Sequence, residues 1–509
     1  MTSVENKRYI SDIISSNEID NWHNGEAVLI SAGCGAGKSY FIKNILYAKA
    51  RQQNKKILML IHRTNCVNQF QMETEKDNKT DVIDIKTYQS VEARIIKSGN
   101  YSFNDYSYIV SDEFHYFVED SGFNCYTDIS FNAIMCCNTA VKIFMSATGD
   151  NLKTIIDRRI GKKKIPMHNY YLPTDYSHLK SLTFYYDDAH TERLADYFLK
   201  NKEKAIFFLD SAQEANKLYH KYKSFSLFLC GTSSSSKYGD DMDIPLINEM
   251  LQNERFEKQF LFCTTCFDAG ANIIDLNLHN VVLKVKNISS LIQCLGRKRS
   301  QSKDDYLNVY IRSLPNKIIN GMRSVRLTAL QKADYLLQNN TQAFLNKYPR
   351  DNRNSALIYD DPMSARNKNT CTKKVNMMIY NKYKLDISLF TQMFEVGGYI
   401  GYVAGLLHFG NDYTKNYIVW NKVELKQYLE FLVTQKQVFL TRADRKLLIA
   451  KIDVTSNGRS LKSIDSLNAA LKENKFNYRI ESFETSRIVD GVKKKYKSAW
   501  KVIKLDETK

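Results

Sequence analysis

Short apolar runs alternate with amphipathic stretches over the first 315 residues of the chain. Runs typical of buried strands occur at 27–30, 55–61, 82–85, 106–110 and 141–145, and again at 204–211, 225–230, 260–265 and 281–285. Strands that alternate with helices predict parallel sheets. A basic, proline-containing connector near 158–173 separates the two series. We therefore predict two tandem α/β domains, over residues 1–150 and 151–315.

The remaining third of the chain has a different pattern. Helical spacing at 318–346 and a polar stretch at 348–374 predict a helical extension and linker over 316–374. Residues 375–509 form a predicted accessory domain, mostly α-helical (α+β). Its last part has three predicted helices and a basic hairpin, whose turn is Asp490-Gly491. A winged helix fits this order, and a small α+β domain that docks on the first two domains or recruits a protein fits equally.

Composition narrows the class of protein. The 509 residues are 43% hydrophobic and 25% charged, as in globular proteins, and the net charge of +18 favours a polyanionic partner. We expect a cytoplasmic protein without a membrane partner, because the apolar stretches are too short to cross a bilayer and the N-terminus has no signal-peptide pattern. The ten cysteines are scattered and are expected to be free thiols. The serines at 233–236 predict a flexible loop.

The stretch 32–39 (AGCGAGKS), called here the phosphate loop, stands between a predicted strand and a predicted helix. Gly33, Gly35 and Gly37 let backbone N–H groups converge on an anion. Lys38 would reach the β- and γ-phosphates, and the Ser39 hydroxyl would hold Mg²⁺. The first position is Ala32, where the strict pattern has glycine. The loop predicts binding of a nucleoside triphosphate with Mg²⁺.

A carboxylate pair follows the predicted strand at 106–110. Asp112 is expected to hold Mg²⁺, directly or through water, and Glu113 to polarise the water that attacks the γ-phosphate. The strand at 141–145 ends in Ser146-Ala147-Thr148, and the hydroxyls of Ser146 and Thr148 could sense the state of the hydrolysis site. Order and spacing, rather than either motif alone, favour catalysis.

Together these ordered motifs resemble those of superfamily 2 helicases of the DExH type. The resemblance rests on the phosphate loop, Arg63-Thr64, Thr87-Tyr88-Gln89, residues 112–115 and residues 146–148. It implies two RecA-like lobes that hydrolyse ATP. It also implies nucleic-acid contacts at Arg63, Thr64 and Thr87, and a role for His115 in linking the nucleotide site to the cleft between the lobes.

The second domain carries further matching segments. From the resemblance, Thr264 and Thr265 would contact the nucleic-acid backbone, and Asp268 and Gly270 would lie near the ribose of the nucleotide. Ser211, at the carboxyl end of the run 204–211, is a further predicted nucleic-acid contact. Gln293, Gly296 and Arg297 match the sixth motif, and Arg297 would neutralise charge on the γ-phosphate. The second arginine of that motif is expected at 300, which is serine, whereas Arg299 stands one position earlier.

The leading hypothesis is an ATP-dependent helicase acting on nucleic acid, with single-stranded or forked DNA favoured over RNA. A motor that translocates on duplex or remodels nucleoprotein without strand separation is the second hypothesis. The third is a nucleic-acid-binding protein switched by ATP without hydrolysis, against which the set of Lys38, Asp112, Glu113 and Arg297 argues. The sequence leaves the protein partners and the pathway open.

Overall fold

The computed structural model describes residues 9–147, 166–265, 272–302, 304–350, 355–361, 372–410, 415–452, 459–489 and 492–505, together with 153, 155–156 and 455–456. They form two compact units. The first comprises 1–182 and 187–416, and the second comprises 183–186 and 417–509. Both predicted α/β lobes lie in the first unit.

The first lobe is built on a six-stranded sheet of order β3-β2-β4-β5-β1-β6, in which every neighbouring pair is parallel. Its strands are β1 Ala27–Ala32, β2 Ile57–Ile61, β3 Ile83–Thr87, β4 Tyr108–Asp112, β5 Val141–Ser146 and β6 Met167–Leu172. The carboxyl ends of parallel strands share one edge of the sheet, so the segments that follow them converge there.

Both faces of this sheet are covered, which explains why β1, β2 and β5 are buried along their whole length rather than at alternate residues. Along β1, Val28 and Ile30 belong to one buried cluster with Phe41 and Leu46 of the following helical run. Leu29 belongs to the cluster on the opposite face. That second cluster includes Leu58, Ile109 and Phe144 from neighbouring strands and three further buried phenylalanines, Phe114, Phe117 and Phe131.

Helices surround the sheet of the first lobe. After a 3-10 turn at Ile10–Asp12, they are Ser16–Ile19, a run made of Lys38–Tyr40, a π-helical segment Phe41–Leu46 and Tyr47–Gln52, then Thr64–Lys76, Tyr88–Ser98, Tyr116–Glu119 and Thr127–Cys136.

The second lobe has a sheet of order β7-β12-β11-β8-β10-β9. Its strands are β7 Leu179–Tyr185, β8 Lys204–Leu209, β9 Ser226–Leu229, β10 Phe260–Thr264, β11 Leu278–Lys284 and β12 Leu307–Arg312. Its helices are Ala189–Asn201, Ala212–Lys221, Thr232–Tyr238, Ile244–Asn253 and Ile288–Leu295. The predicted pair of parallel-sheet α/β lobes is confirmed. The connector predicted near 158–173 is wrong in part, because residues 167–172 of it form β6, which pairs with β1 in the sheet of the first lobe.

The serine tract is not the loop that its composition predicts. Residues 232–238 form a helix, and a 3-10 turn follows at Gly239–Asp241. Serine is only moderately unfavourable in helices, so packing can override its local preference.

A group of helices from the region after 315, called here the helical layer, belongs to the first unit. Its helices are Asn316–Gln338, Thr341–Lys347, Met377–Glu395 and Gly398–Leu406, and a strand pair, β13 Ile358–Asp361 with β14 Thr372–Val375, accompanies them. Met378 is buried in the core of the first lobe, and the Asn376 side-chain amide donates to the Cys125 carbonyl at 2.9 Å. The division between units therefore falls at 416/417, whereas the sequence places the start of the accessory domain at 375.

The second unit has a helix, a short strand, two helices and a long hairpin in chain order. These are Trp420–Thr434, β16 Val438–Phe439, Lys446–Ile452, Ile464–Glu473, β19 Tyr478–Val489 and β20 Val492–Lys504. Two further short strands, β17 Thr455–Ser456 and β18 Arg459–Ser460, pair with each other, and β15 Ile418–Val419 pairs with Thr183 and Phe184. The antiparallel sheet has the order β16-β20-β19. This succession fits both the predicted winged helix and the alternative of a small α+β domain, and the choice between them stays a prediction. The predicted turn residues Asp490 and Gly491 lie outside the described residues.

Among the described residues, no helix combines the length and apolar character needed to span a membrane.

Phe144 tests the packing of the first lobe. It is fully buried in β5, and its ring lies 5.8 Å from that of Phe114. We expect Phe144→Ala to lower the free energy of unfolding by about 3–5 kcal/mol, because the substitution leaves a cavity between sheet and helices. Urea denaturation measures this loss. In the control Met72→Ala, at a side chain that is 70% exposed, the change should stay within about 0.5 kcal/mol.

Candidate nucleotide site between the two lobes

The phosphate loop leaves β1 at Ala32 and enters the helical run that begins at Lys38. Gly35 and Gly37 have φ values of +82° and +76°, in the left-handed region that glycine adopts without strain. The Lys38 side chain is buried, and its Nζ donates to the carbonyls of Ala32 at 2.7 Å and Gly33 at 3.1 Å. The amine is therefore held inside the loop, where phosphate oxygens would compete for its N–H groups.

Two residues that the sequence did not single out lie against the loop. A Cβ atom on Gly33 would come within 2.5 Å of Thr174 Oγ1, and one on Gly37 would come within 3.4 Å of the Tyr9 ring. The backbone N–H of Ile10 also donates to the Ala36 carbonyl at 2.9 Å. No sequence motif signals these contacts, because they join the loop to segments remote from it along the chain.

The carboxylate pair lies at the same edge of the sheet as the loop. Asp112 ends β4 opposite Met145, and Ser146 of β5 lies opposite Ser31, just before the loop. The Tyr88 hydroxyl donates to the Asp112 carbonyl at 2.9 Å. Glu113 has a φ of +47°, which is costly for a residue with a side chain, so the surrounding structure holds it in place.

The two carboxylates have opposite pKa shifts. Burial, followed by the neighbouring Glu113 charge, raises the pKa of Asp112. Burial also opposes ionisation of Glu113, but hydrogen bonding to His115 and the charges of Lys38 and His115 outweigh it and lower its pKa. Two adjacent carboxyl groups thus differ in proton affinity, as expected for groups with different chemical tasks.

Ser39 and Asp112 supply oxygen ligands of the kind that Mg²⁺ prefers. Ser39 is exposed at the mouth of the loop, and the Lys38 charge acts on Asp112, which places the carboxyl group close to the loop. Within the described part of the chain, no group of three or more His, Cys, Asp or Glu side chains could hold a metal ion. Ser39 and Asp112 supply two oxygen ligands, and nucleotide phosphates and water would supply the remaining ligands of such a cation.

His115 connects the carboxylates with the second lobe. Its Nδ1 lies 2.9 Å from Ser146 Oγ and 3.3 Å from Glu113 Oε2, and the Ser146 hydroxyl donates to Glu113 at 3.2 Å. Its Nε2 lies 2.8 Å from the side-chain nitrogen of Gln293. Burial lowers the pKa of His115, but Glu113 outweighs this and raises it. A continuous hydrogen-bonded chain thus runs from Gln293 to Glu113.

The segment that carries both arginines is extended rather than helical. The helix Ile288–Leu295 ends before Gly296, and Ile273 then donates to the Arg297 carbonyl at 2.8 Å and accepts from the Arg299 N–H at 2.9 Å. Side chains alternate along extended backbone, so Arg297 and Arg299 share one side and Lys298 takes the other. Lys298 is buried and donates to both Asp305 carboxylate oxygens at 2.7 Å.

This geometry explains the displaced arginine. A Cβ atom on Gly35 would come within 2.9 Å of Arg299 Nη1, so the guanidinium lies over the phosphate loop. The Arg299 Nε also donates to Asn272 Oδ1 at 2.9 Å. Arg297 is buried, and its charge acts on His62 and Cys66 of the first lobe. A spacing of two in extended backbone therefore brings both arginines to the side of the first lobe, where a helix would need a spacing of three or four.

The predicted nucleic-acid contacts fall into two groups. Arg63, Thr264 and Thr265 line a cleft of about 2270 Å³ formed by both lobes and the helical layer. Thr87 and Ser211 instead cap helices, since their hydroxyl oxygens accept from the N–H groups of Ser90 at 3.1 Å and Glu214 at 3.3 Å. Thr148, Asp268, Gly270 and the Thr64 side chain lie outside the described residues.

The comparison with protein families agrees with this geometry. Residues 4–151 match the family model described as the type III restriction enzyme, res subunit. Over these residues, the first lobe is similar to that family. The match confirms the predicted resemblance and the predicted enzyme class, an ATP-dependent helicase or nucleoside triphosphatase. No curated protein matches the chain.

Solved structures of helicases resemble the chain more distantly. S. cerevisiae Dbp5 bound to RNA and ADP BeF3 is 16% identical, with 56% of this chain and 78% of that chain covered and a TM-score of 0.42. The DEAD-box helicase Mss116 bound to ssRNA and UDP-BeF is 15% identical, with coverage of 58% and 68% and a TM-score of 0.43. These scores are too low to transfer any feature of those complexes to this chain.

The raised pKa of Asp112 predicts a conflict between stability and activity. A carboxyl group whose pKa is higher in the folded than in the unfolded state binds more protons when the protein is folded. Such a group therefore lowers the free energy of unfolding as the pH rises above its pKa in the unfolded state. We expect Asp112→Asn to abolish ATP hydrolysis and to raise the Tm of the nucleotide-free protein, more at pH 8 than at pH 5. Thermal unfolding at the two pH values measures the effect. If the Tm of Asp112→Asn were lower than that of the wild-type protein at pH 8, this result would contradict the raised pKa of Asp112.

Proposed function

We propose that this protein couples ATP hydrolysis between its two lobes to movement along nucleic acid, with single-stranded or forked DNA favoured over RNA. The observation that carries the proposal is the meeting of both lobes at one site. Gln293 contacts His115 across the cleft, and Arg299 lies over Gly35 of the phosphate loop. Hydrolysis chemistry and relative movement of the lobes would then share the same side chains.

In the proposed mechanism, Lys38 binds the β- and γ-phosphates, and Ser39 and Asp112 hold Mg²⁺, which neutralises charge on the phosphates when bound. Glu113 orients and accepts a proton from the attacking water, and its lowered pKa keeps it ionised for that role. Arg297 stabilises charge on the transferred phosphoryl group. Loss of the γ-phosphate weakens the bridge between lobes, and the resulting movement acts on nucleic acid in the cleft.

The nucleic-acid contacts proposed for this cycle are Arg63 and Thr264 with Thr265 in the cleft, and Thr64, Thr87 and Ser211 at strand ends.

A second candidate, a duplex DNA translocase that does not separate strands, draws its support from the description of the family model as a restriction enzyme subunit. ATPase stimulation by single-stranded DNA, duplex DNA, forked DNA and RNA identifies the substrate. A strand-displacement assay separates helicase from translocase.

The nucleotide site can be tested by two substitutions with different expected results. Lys38→Ala should abolish nucleic-acid-stimulated ATP hydrolysis, because it removes the cation that binds the phosphates. Arg297→Ala should lower kcat by about 10³- to 10⁵-fold. The affinity of the Arg297→Ala variant for a non-hydrolysable ATP analogue should change much less. A steady-state ATPase assay and calorimetric titration measure these values. Unchanged ATP turnover in Lys38→Ala would contradict the assignment of the phosphate loop as the site of ATP hydrolysis.

The hairpin of the second unit carries the exposed lysines 493–495, which we propose contact the phosphate backbone. We expect Lys493→Ala combined with Lys494→Ala to weaken nucleic-acid binding similarly for all sequences. The slope of log K against log salt should become shallower by about 1 per lysine that contacts a phosphate. The control removes Lys200 and Lys217, which are exposed on helices of the second lobe. If substitution of Lys200 and Lys217 weakened nucleic-acid binding as much as substitution of Lys493 and Lys494, the effect would come from net charge rather than from contacts of the hairpin.

A further inference from the structure

Glu119 joins three parts of the first unit at one carboxylate. It ends the short helix Tyr116–Glu119, which directly follows the carboxylate pair and His115. Its Oε2 accepts from the side-chain amide of Asn287 at 2.9 Å and from Lys382 Nζ at 2.7 Å. Its Oε1 lies 3.4 Å from the Ser289 hydroxyl. The first lobe, the second lobe and the helical layer therefore meet at this side chain.

The contact with Asn287 acts on the helix that carries the candidate catalytic residues of the second lobe. Asn287 is the N-cap of the helix Ile288–Leu295, since its Oδ1 accepts from the Ser290 N–H at 2.9 Å. The same amide therefore caps the helix and donates to Glu119. At the other end, this helix presents Gln293 to His115 and leads into Arg297. A shift at its cap would displace both side chains.

The contact with Lys382 extends the junction into the helical layer. Lys382 Nζ lies 3.9 Å from Asp386, and Asp386 pairs with Arg326 of the helix Asn316–Gln338. The Arg326 guanidinium in turn lies 5.4 Å from the Phe390 ring centre. Alternating charges thus run from Glu119 through two long helices. Burial opposes ionisation of Glu119, but Lys382 outweighs it and lowers the pKa of the carboxyl group.

We propose that Glu119 is a positioning residue for the proposed ATP hydrolysis. It fixes the cap of the helix Ile288–Leu295 so that Gln293 and Arg297 meet the first lobe, and Lys382 makes this arrangement depend on the helical layer. The inference rests on the proposed function. It adds that the helical layer controls turnover through one ionic contact, without touching the nucleotide.

The test uses Glu119→Ala, Glu119→Gln and Lys382→Met in the full chain, with nucleic-acid-stimulated kcat and KM for ATP as readouts. Displacing catalytic groups by about 1 Å can cost about 10²-fold in rate. We therefore expect Glu119→Ala to lower kcat by about that factor while KM changes little. Glu119→Gln keeps an acceptor for Asn287 and should retain more activity. Lys382→Met should lower kcat, with no further loss when combined with Glu119→Ala.

The matched control is Lys204→Met. Lys204 pairs with Asp275 at 2.6 Å inside the second lobe, and its side chain is 15% exposed, as is that of Lys382. We expect this control to change stability but not kcat, with all assays run well below the lowest Tm. An equal loss of kcat in Lys204→Met, or wild-type kcat in Glu119→Ala, would overturn the inference. Failure of wild-type protein to hydrolyse ATP would instead refute the proposed function.

Discussion

The close contact between the phosphate loop and the segment 296–299 is the constraint on which the candidate site depends. Arg299 lies where a side chain on residue 35 would be, and Cys34 lies where one on residue 296 would be. Residue 296 has no room for a side chain beside Cys34, and Gly35 needs its left-handed backbone. The two lobes therefore constrain each other's sequence at this contact. The Arg299 guanidinium of the second lobe lies over the phosphate loop only when the two lobes are in contact.

Around this contact, charge and backbone strain are concentrated at the carboxylate pair. Asp112 and Glu113 are adjacent, yet their pKa values are shifted in opposite directions. Burial raises the pKa of Asp112, whereas the hydrogen bond to His115 helps to lower that of Glu113. Glu113 also has an unfavourable backbone conformation. Such costs persist where the surrounding structure outweighs them. Here the hydrogen bonds of Ser146 and His115 provide that support and also connect the carboxylate to Gln293 of the second lobe.

The helical layer changes how the domain organisation is understood. Its sequence has no motif, and helical periodicity alone would allow it to be an independent accessory domain. In the structure, Met378 is buried in the core of the first lobe, and Lys382 forms an ion pair at the junction with the second lobe. Charged groups with such low exposure are costly unless they are paired. The layer is therefore linked to the two lobes through groups whose separation would carry a free-energy cost.

By itself, the sequence determined nine of the twelve strands of the two lobes, the phosphate loop and the carboxylate pair, because these depend on residues adjacent in the chain: apolar runs bury strands, and glycines permit the loop. The strands β6, β7 and β12 were not predicted, and β6 lies in the stretch interpreted as a connector. It did not determine the helix at 232–238, where packing overrides serine's local preference. Only the tertiary structure decided which distant side chains meet. The register that places Arg299 over Gly35, and the packing that brings Lys382 to Glu119, arise from sheet order and helix docking, which no local pattern encodes.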